Sequence, residues 1–359
     1  MSTVLALNQG SSSLKFGVFR AGPQQLDGLL SGEAGSVADI AGLMADSQLP
    51  MPAVVGHRIV HGGPLLRRHC VIDDAVLQQL DAAAAFAPLH TPAALALIRQ
   101  TQHQFAEAVQ VACFDTSFHI DMPDVARVLP LPRALLQEGI QRYGFHGLSC
   151  ESIVLQLGPA VPERLVIAHL GHGASVTAVR HGGSIDTSMG LTPSGGVLMG
   201  TRSGDLDPGL LLHLMRERAF DADGIEALVN HQSGLLGISG LASDMRRLHE
   251  ATPTNADARL AIQMFAASVA KQVAGMITAL NGIDTLVFTG GIGENDAAVR
   301  AAICRGLGWF GVALDDARNR GAADPISDAA SRCTVRVLPT REEAQIARHA
   351  WGLVEPARR

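Results

Sequence analysis

The segment Asn8-Gln9-Gly10-Ser11-Ser12-Ser13-Leu14-Lys15 gathers an amide, three hydroxyls and an ammonium group around one small-residue turn. That set suits an anionic oxygen cluster or a hydrated metal, because glycine and serine let backbone N–H groups face a phosphate without bulky side chains in the way. The same arrangement returns as VIAHLGHGASVTAVR at 166–180, where Gly171-His172-Gly173 form the turn. A third glycine-rich stretch, Gly290-Gly291-Ile292-Gly293-Glu294-Asn295, follows an apolar run. Any one of these reads equally well as a hairpin with a tight turn. Two copies of strand, turn and strand point to a duplicated fold with the working cleft between the copies.

The elements that carry these turns are legible as patterns. β-rich runs at 3–8, 14–19, 53–60, 108–116, 164–171, 174–180, 284–291 and 334–339 alternate with helical periodicity at 73–87, 92–106, 207–219 and 260–280. The alternation predicts a mixed α/β chain with at least two sheets. Region 20–50 has no clear period and receives no assignment.

A length of 359 residues, 47% hydrophobic and 17% charged, predicts a globular chain of two domains. The net charge of −6 argues against a nucleic-acid partner, which would need a basic surface. Five cysteines (Cys70, Cys113, Cys150, Cys304 and Cys333), odd in number and without a C-x-x-C pair, suit reduced thiols and a cytoplasmic setting. The first residues lack the basic and apolar regions of a signal peptide. The apolar stretch 260–280 is interrupted by Gln263, Lys271 and Gln272, so it predicts a buried helix, at a subunit interface, rather than a membrane span.

From the opening turn onward the chain strongly resembles the acetate kinase family. Matching blocks run in order through GHRIVHGG at 56–63, PLHTP at 88–92, CFDTSFH at 113–119, RYGFHG at 142–147, HLGHGAS at 169–175, DTSMGLTPSGGVLMGTRSGDLDPG at 186–209, SGLLGISGLASDMR at 233–246, FTGGIGEN at 288–295 and PTREEAQIAR at 339–348. The resemblance implies the fold of the acetate and sugar kinase, Hsp70 and actin superfamily: α/β, with two duplicated RNase-H-like domains around a nucleotide cleft. The expected domains are 1–148, with 341–359 packing back onto it, and 149–340. A homodimer is expected, with neither nucleic acid nor membrane as partner.

By the same resemblance Arg58 and Arg202 bracket the carboxylate and the phosphoryl group in flight, a task suited to planar guanidinium forks. His146 hydrogen-bonds that phosphoryl group, and Asp115 completes the catalytic set. Asn8 and Glu342, with Asp115, position Mg²⁺ or Mn²⁺ directly or through water. Lys15, Ser11, Ser13, His169, Gly171, His172 and Gly173 line the phosphate region. Asp244, Met245, Arg246, Gly291, Ile292, Gly293, Glu294 and Asn295 border adenosine. Val60, Leu89, His90, Phe145 and Pro193 form the acceptor pocket, while His61 and His119 also lie in matching blocks.

The implied reaction is reversible transfer of the γ-phosphoryl group of ATP to acetate. Propionate or another short-chain acid is the alternative acceptor, and a non-catalytic actin-like or Hsp70-like nucleotide binder is the alternative class. The chain departs from the family pattern at Gln9, His172, Cys150 and Ser194-Gly195, and is short before Gly56. These departures touch the phosphate loops more than the arginines. With phosphate nearby, a protonated His172 is expected to favour nucleotide binding as pH falls.

Overall fold

Strand β1, Ser2–Gln9, is buried from Thr3 to Asn8, with an apolar centre from Val4 to Leu7, because both faces of its sheet are covered. Leu5 and Leu7 point to one face, among Val37, Ile40, Met44 and Leu97. Val4 and Ala6 point to the other, among Ile346, Ala347 and Ala350 of the helix Glu342–Val354. The computed structural model describes residues 1–10, 14–22, 25–87 and 90–355.

β1 pairs antiparallel with β2 (Leu14–Ala21), which pairs antiparallel with β3 (Leu26–Ala34). On its other side β1 runs parallel to β4 (Val54–Ile59), and the short β5 (Cys70–Val71) lies at the edge beyond β6 (Val109–Phe114), which is parallel to β4. The order is β3-β2-β1-β4-β6-β5. The second sheet is built from β7 (Arg164–Leu170), β8 (Ala174–Arg180), β9 (Gly183–Thr187), β10 (Thr285–Thr289) and β11 (Thr334–Val337). Its order, β9-β8-β7-β10-β11, repeats β3-β2-β1-β4-β6 strand for strand, three antiparallel and then two parallel. The duplication expected from the two turns is therefore a duplication of whole sheets.

The unassigned region 20–50 holds β3 and the helix Val37–Asp46, capped by Ser36, whose Oγ accepts from Asp39 N at 3.2 Å. β3 escapes a period-2 reading because it is an edge strand, LDGLLSGEA, with two glycines and two acids and no buried residue.

The second sheet is also covered on both faces. The helix Ala256–Leu280 lies on one face, where Phe265, Val269, Val273 and Ile277 join Val166, Ala168 and Val176. Among the described residues it alone has the length and composition to cross a membrane, and 44% of that apolar window is buried within this fold. The helix Gly147–Leu157 lies on the other face, with Cys150, Ile153 and Leu157 against Leu165 and Ile167.

This helix also meets Glu342–Val354, which belongs to the first sheet, and polar groups pin the two together. Glu151 Oε2 accepts from His349 Nε2 at 2.5 Å and from Gln345 Nε2 at 3.2 Å. The parallel strands β1, β4 and β6 in one sheet and β7, β10 and β11 in the other carry their carboxyl ends to the cleft, where α/β sheets bind ligands.

Candidate functional site

Four polar residues from distant parts of the chain form one buried hydrogen-bonded row at the first sheet's carboxyl edge. Asn8 and Arg58 are penultimate in β1 and β4, and Asp115 follows β6, so parallel pairing sets all three side by side. Arg58 donates to Asp115 Oδ2 from Nε at 2.9 Å and from Nη2 at 2.6 Å, and to Asn8 Oδ1 from Nη1 at 3.1 Å. Asn8 Nδ2 donates in turn to Glu342 Oε2 at 2.8 Å and Glu343 Oε1 at 2.9 Å, at the start of the C-terminal helix.

Burial opposes charge throughout this row. It raises the Asp115 carboxyl above the usual range against the pull of Arg58. It also pushes Glu342 upward, but Arg58, His169 and the Asn8 amide outweigh it and hold Glu342 below the usual range. Burial likewise acts against the Arg58 cation, yet Asp115 and Glu342 more than restore it.

Asn8 spends its amide oxygen on Arg58 and its nitrogen on both glutamates, so it orders the acids around it rather than presenting a free oxygen. Asp115 Oδ1, by contrast, is buried and has no hydrogen-bond partner among the described residues. An orphaned carboxylate oxygen beside a second carboxylate on the same cavity is a donor set that fits Mg²⁺ or Mn²⁺, hard cations that take one or two carboxylates and keep waters.

His146 begins the helix Gly147–Leu157 in left-handed conformation, φ +57°. A non-glycine residue held there is stabilised by its surroundings. Gly147 N donates to Asp115 O at 2.8 Å, and a Cβ on Gly147 would stand 2.2 Å from that oxygen. The close approach ties the histidine to the strand end that carries Asp115. The His146 ring stacks on His169, with centroids 4.2 Å apart, and each ring is tethered through Nδ1: His146 to Ser175 Oγ at 2.9 Å, His169 to Ser149 Oγ at 2.8 Å. Ser149 in turn accepts from Thr340 Oγ1 at 3.0 Å. Burial, then His169, Arg58 and Arg202, hold His146 well below its ordinary value, so the ring is neutral. Ser175 Oγ engages Nδ1, so Nε2 is the ring nitrogen left for a ligand. Ser149, Ser175 and Thr340, the three tethering hydroxyls, all stand inside or next to the matching blocks, and only the fold reveals their partners.

Arg202 faces the same cavity, donating from Nη1 to Pro193 O at 3.2 Å, and it has no carboxylate partner among the described residues. Burial and the neighbouring Arg58 lower its basicity. The cavity, of about 330 Å³, brings together Lys15, Arg58, Asp115, His146, Arg202 and Glu342. His169, Gly171, His172, Gly173, Gly290 and Gly291 also line it, as do Val60, His90, Phe145 and Pro193. A Cβ on Gly173 would stand 3.4 Å from both Arg202 Nη1 and His146 Nε2, so this glycine leaves room between the two side chains. Burial, with Arg202 and Arg58, lowers His90 to about 4, and burial with Arg202 also lowers His172. His172 is thus neutral at pH 7. Ser11, Ser13 and Leu89 lie outside the described residues.

His61 and His119 support this cavity from behind. His61 packs against Tyr143 and Phe145, and His119 bridges Ser184 Oγ at 2.8 Å and Phe145 O at 3.0 Å.

Beyond the second turn opens a cavity of about 730 Å³, lined by Gly171, His172, Asp244, Met245, Arg246, Gly291, Ile292 and Asn295, with Ser243, His249 and Asp296. Asp244 caps the helix Met245–Ala251, accepting from Arg246 N and Arg247 N, and pairs with the Arg246 side chain at 3.2 Å. Gly293 and Glu294 do not line this cavity. Glu294 folds beneath the loop, accepting from Gly290 N at 2.9 Å and Thr340 N at 3.0 Å, and thereby joins the ends of β10 and β11. The buried Arg300 donates to Gly293 O and Glu294 O and fixes the same loop from below.

Residues 39–348 match the Acetokinase family. The acetate kinase of Methylocella silvestris is 40% identical over 98% of this chain and 98% of its own, and that of Gloeobacter violaceus is 43% identical over 91% and 81%. Among solved structures, a propionate kinase from Francisella tularensis superposes with a TM-score of 0.89 at 36% identity, covering 98% of this chain and all of its own. Porphyromonas gingivalis acetate kinase gives 0.85 at 33%, covering 99% of this chain and all of its own. Two sheets of one repeated topology, a polar cleft between them and similarity along nearly the entire length lead to one conclusion: this chain belongs to the acetokinase family.

Proposed function

We propose that this protein is an acetate kinase, transferring the γ-phosphoryl group of ATP to acetate and running in reverse from acetyl phosphate and ADP. The observation that carries the reading is the convergence of two guanidinium groups and a neutral imidazole on one cavity, between a glycine-lined phosphate region and a small apolar pocket.

The acceptor is already a nucleophile, so no general base is required. A carboxylate oxygen forms the new P–O bond while the bond from the γ-phosphorus to the bridging oxygen breaks, and its electron pair leaves with ADP. Charge is spread over the equatorial oxygens in transit, and the chain's work is to position and to stabilise it. Arg202, without an acid of its own, offers its fork to those oxygens; Arg58, ordered by Asp115 and Asn8, supports the incoming carboxylate. His146 adds a neutral hydrogen-bonding ring through Nε2. Val60, Phe145 and Pro193 receive the methyl group. Asp115 and Glu342 would hold Mg²⁺ or Mn²⁺, which when bound offsets phosphate charge. The cavity beyond Gly171 suits adenosine, its glycines letting backbone approach the ribose and base.

Domains at 1–148 with the C-terminal segment 341–359, and at 149–340, agree with the two sheets and with the helix Glu342–Val354 packing on the first. Exposed Leu210, Leu212, Met215, Leu260 and Met264 support a homodimer. Five free cysteines support a reducing, cytoplasmic setting.

Purified protein incubated with acetate, MgATP and hydroxylamine should yield acetohydroxamate and ADP in equal amounts. ADP release without hydroxamate, or no turnover at all, would contradict this function.

A further inference from the structure

Three ligand-type side chains meet where the two halves of the chain adjoin, and none of them lines the central cavity. His69 immediately precedes β5, Glu151 stands on the helix Gly147–Leu157 of the second half, and His349 stands on the helix Glu342–Val354 that covers the first sheet. Their donor atoms lie within 4.8 Å of one another, and the two imidazole rings approach to 4.0 Å between centroids.

The hydrogen bonds inside this group conflict. His349 Nε2 stands 2.5 Å from Glu151 Oε2 and 2.9 Å from Gln345 Nε2. With a proton, that nitrogen satisfies the carboxylate and opposes the amide N–H; without one, it satisfies the amide and sets a lone pair against the carboxylate. Turning the amide over only moves the conflict, because Gln345 Oε1 would then face Glu151 Oε2, which lies 3.2 Å from the amide nitrogen. As it stands, Gln345 Oε1 is buried without a partner among the described residues, in a residue only 6% exposed. One cation resolves all of this, since the Glu151 oxygen, the His349 nitrogen and the turned Gln345 oxygen then direct three lone pairs at one charge.

We propose that His69, Glu151 and His349, with Gln345 Oε1 completing the shell, form a site for one divalent transition-metal ion such as Zn²⁺, which staples the two halves together. Imidazole with a single carboxylate suits zinc, nickel or copper, whereas Asp115 and Glu342 offer the oxygen set of a harder ion. Burial, then His349, lowers His69 to about 4, so its ring is neutral at pH 7 and has a lone pair to give. Burial pushes Glu151 upward, but His349 holds it below the ordinary range, so its carboxylate is ionised. Donor atoms of a tetrahedral zinc shell stand ~3.3 Å apart, a spacing that side-chain rotation reaches from here.

His69 makes one adjustment. Its Nδ1 accepts from Phe114 N at 3.0 Å, which leaves the ring proton on Nε2. Ser117 Oγ stands 3.4 Å from the same Nδ1 and donates its own proton to Arg67 O, so that oxygen can accept. When Nε2 binds the ion, the proton it releases is replaced by one on Nδ1, donated to Ser117 Oγ. This is the outer contact that orients a metal-bound imidazole.

The test uses the full chain in excess MgADP, with Zn²⁺ followed by calorimetry and Co²⁺ by its visible spectrum. One Zn²⁺ should bind per chain, and Co²⁺ should show the d–d bands of a low-coordinate nitrogen and oxygen site. His349→Asn should weaken Zn²⁺ binding by ~100-fold or more and abolish the bands, and Ser117→Ala should weaken it by ~10-fold, as loss of an outer contact does. Zn²⁺ should raise the Tm of the parent but not of His349→Asn. Glu342→Ala and Cys70→Ser should keep the bands, which separates this site from the Mg²⁺ ligands and from the neighbouring thiol. A parent that binds no Zn²⁺, bands that survive in His349→Asn, or bands lost in Glu342→Ala or Cys70→Ser would overturn the proposal. The parent titration decides even where a variant fails to fold, and the carboxylate-kinase reading stands under either result.

Discussion

Arg202→Ala is expected to abolish most turnover while sparing the fold, whereas Arg58→Ala should damage both. Arg58 is 15% exposed and Asp115 1%, and their 2.6 Å ion pair lies within the buried row that ends at Glu342. Removing the cation strands a buried carboxylate, and breaking such a pair costs roughly 3–5 kcal/mol. If the first half unfolds as one unit, Tm should fall by on the order of 10 °C. Without Arg58 the Asp115 carboxyl, already raised by burial, rises further. A carboxyl with a raised folded pKa destabilises when ionised, so the deficit of Arg58→Ala should shrink as pH falls and Asp115 takes up a proton.

Arg202 is different: among the described residues its side chain donates to Pro193 O alone, and both burial and Arg58 disfavour its charge. Alanine there removes an uncompensated cation, so Tm should hold or rise. Loss of one preorganised donor to transition-state charge still lowers kcat by ~100- to 1,000-fold. Hydroxamate kinetics with scanning calorimetry on both variants provide the comparison. An Arg202→Ala protein that turns over normally, or that loses as much Tm as Arg58→Ala, would refute the division of roles.

Glu342→Ala should chiefly raise the Mg²⁺ concentration required for half-maximal activity, and an unchanged magnesium titration would remove Glu342 from the metal site. Glu151 is held below the ordinary carboxyl range: burial pushes it upward, but the His349 hydrogen bond and charge, with His69 and Gln345, prevail. Its contribution is therefore present above the unfolded value of 4.5 and lost as pH falls through the lower folded one. Glu151→Gln should lower Tm at pH 7 by an amount worth about 1–3 kcal/mol and flatten the decline of Tm below pH 4.5, as thermal melts across pH would reveal. His172→Asn should remain active with a KM for MgATP no higher than the parent's at pH 7. Since burial and Arg202 keep His172 neutral there, the parent's KM should shift only below about pH 6.5, and the variant should lose that acidic limb. An inactive but folded His172→Asn would make His172 a required part of the site.

Much of the fold was legible because its signals are local. Apolar runs marked β1, β2, β4, β6, β7, β8, β10 and β11, and the repeated strand-turn-strand pattern announced the duplication of the sheets. β3 was not legible, since an edge strand facing solvent has little hydrophobic pattern to read. The family resemblance carried by the matching blocks points to Arg58, His146, Arg202 and Glu342 as candidates. What they could not convey was which of them touch. Asn8 and Glu342 are 334 positions apart, and only the C-terminal helix folding over Val4 and Ala6 brings them to 2.8 Å. The Ser175 tether on His146, the orphaned oxygen of Asp115 and the lone charge of Arg202 are likewise properties of neighbours in space. Local periodicity reports which face of an element is apolar. Protonation, hydrogen-bond satisfaction and the size of a cavity depend on groups brought together by long-range packing, and those the tertiary structure alone decides.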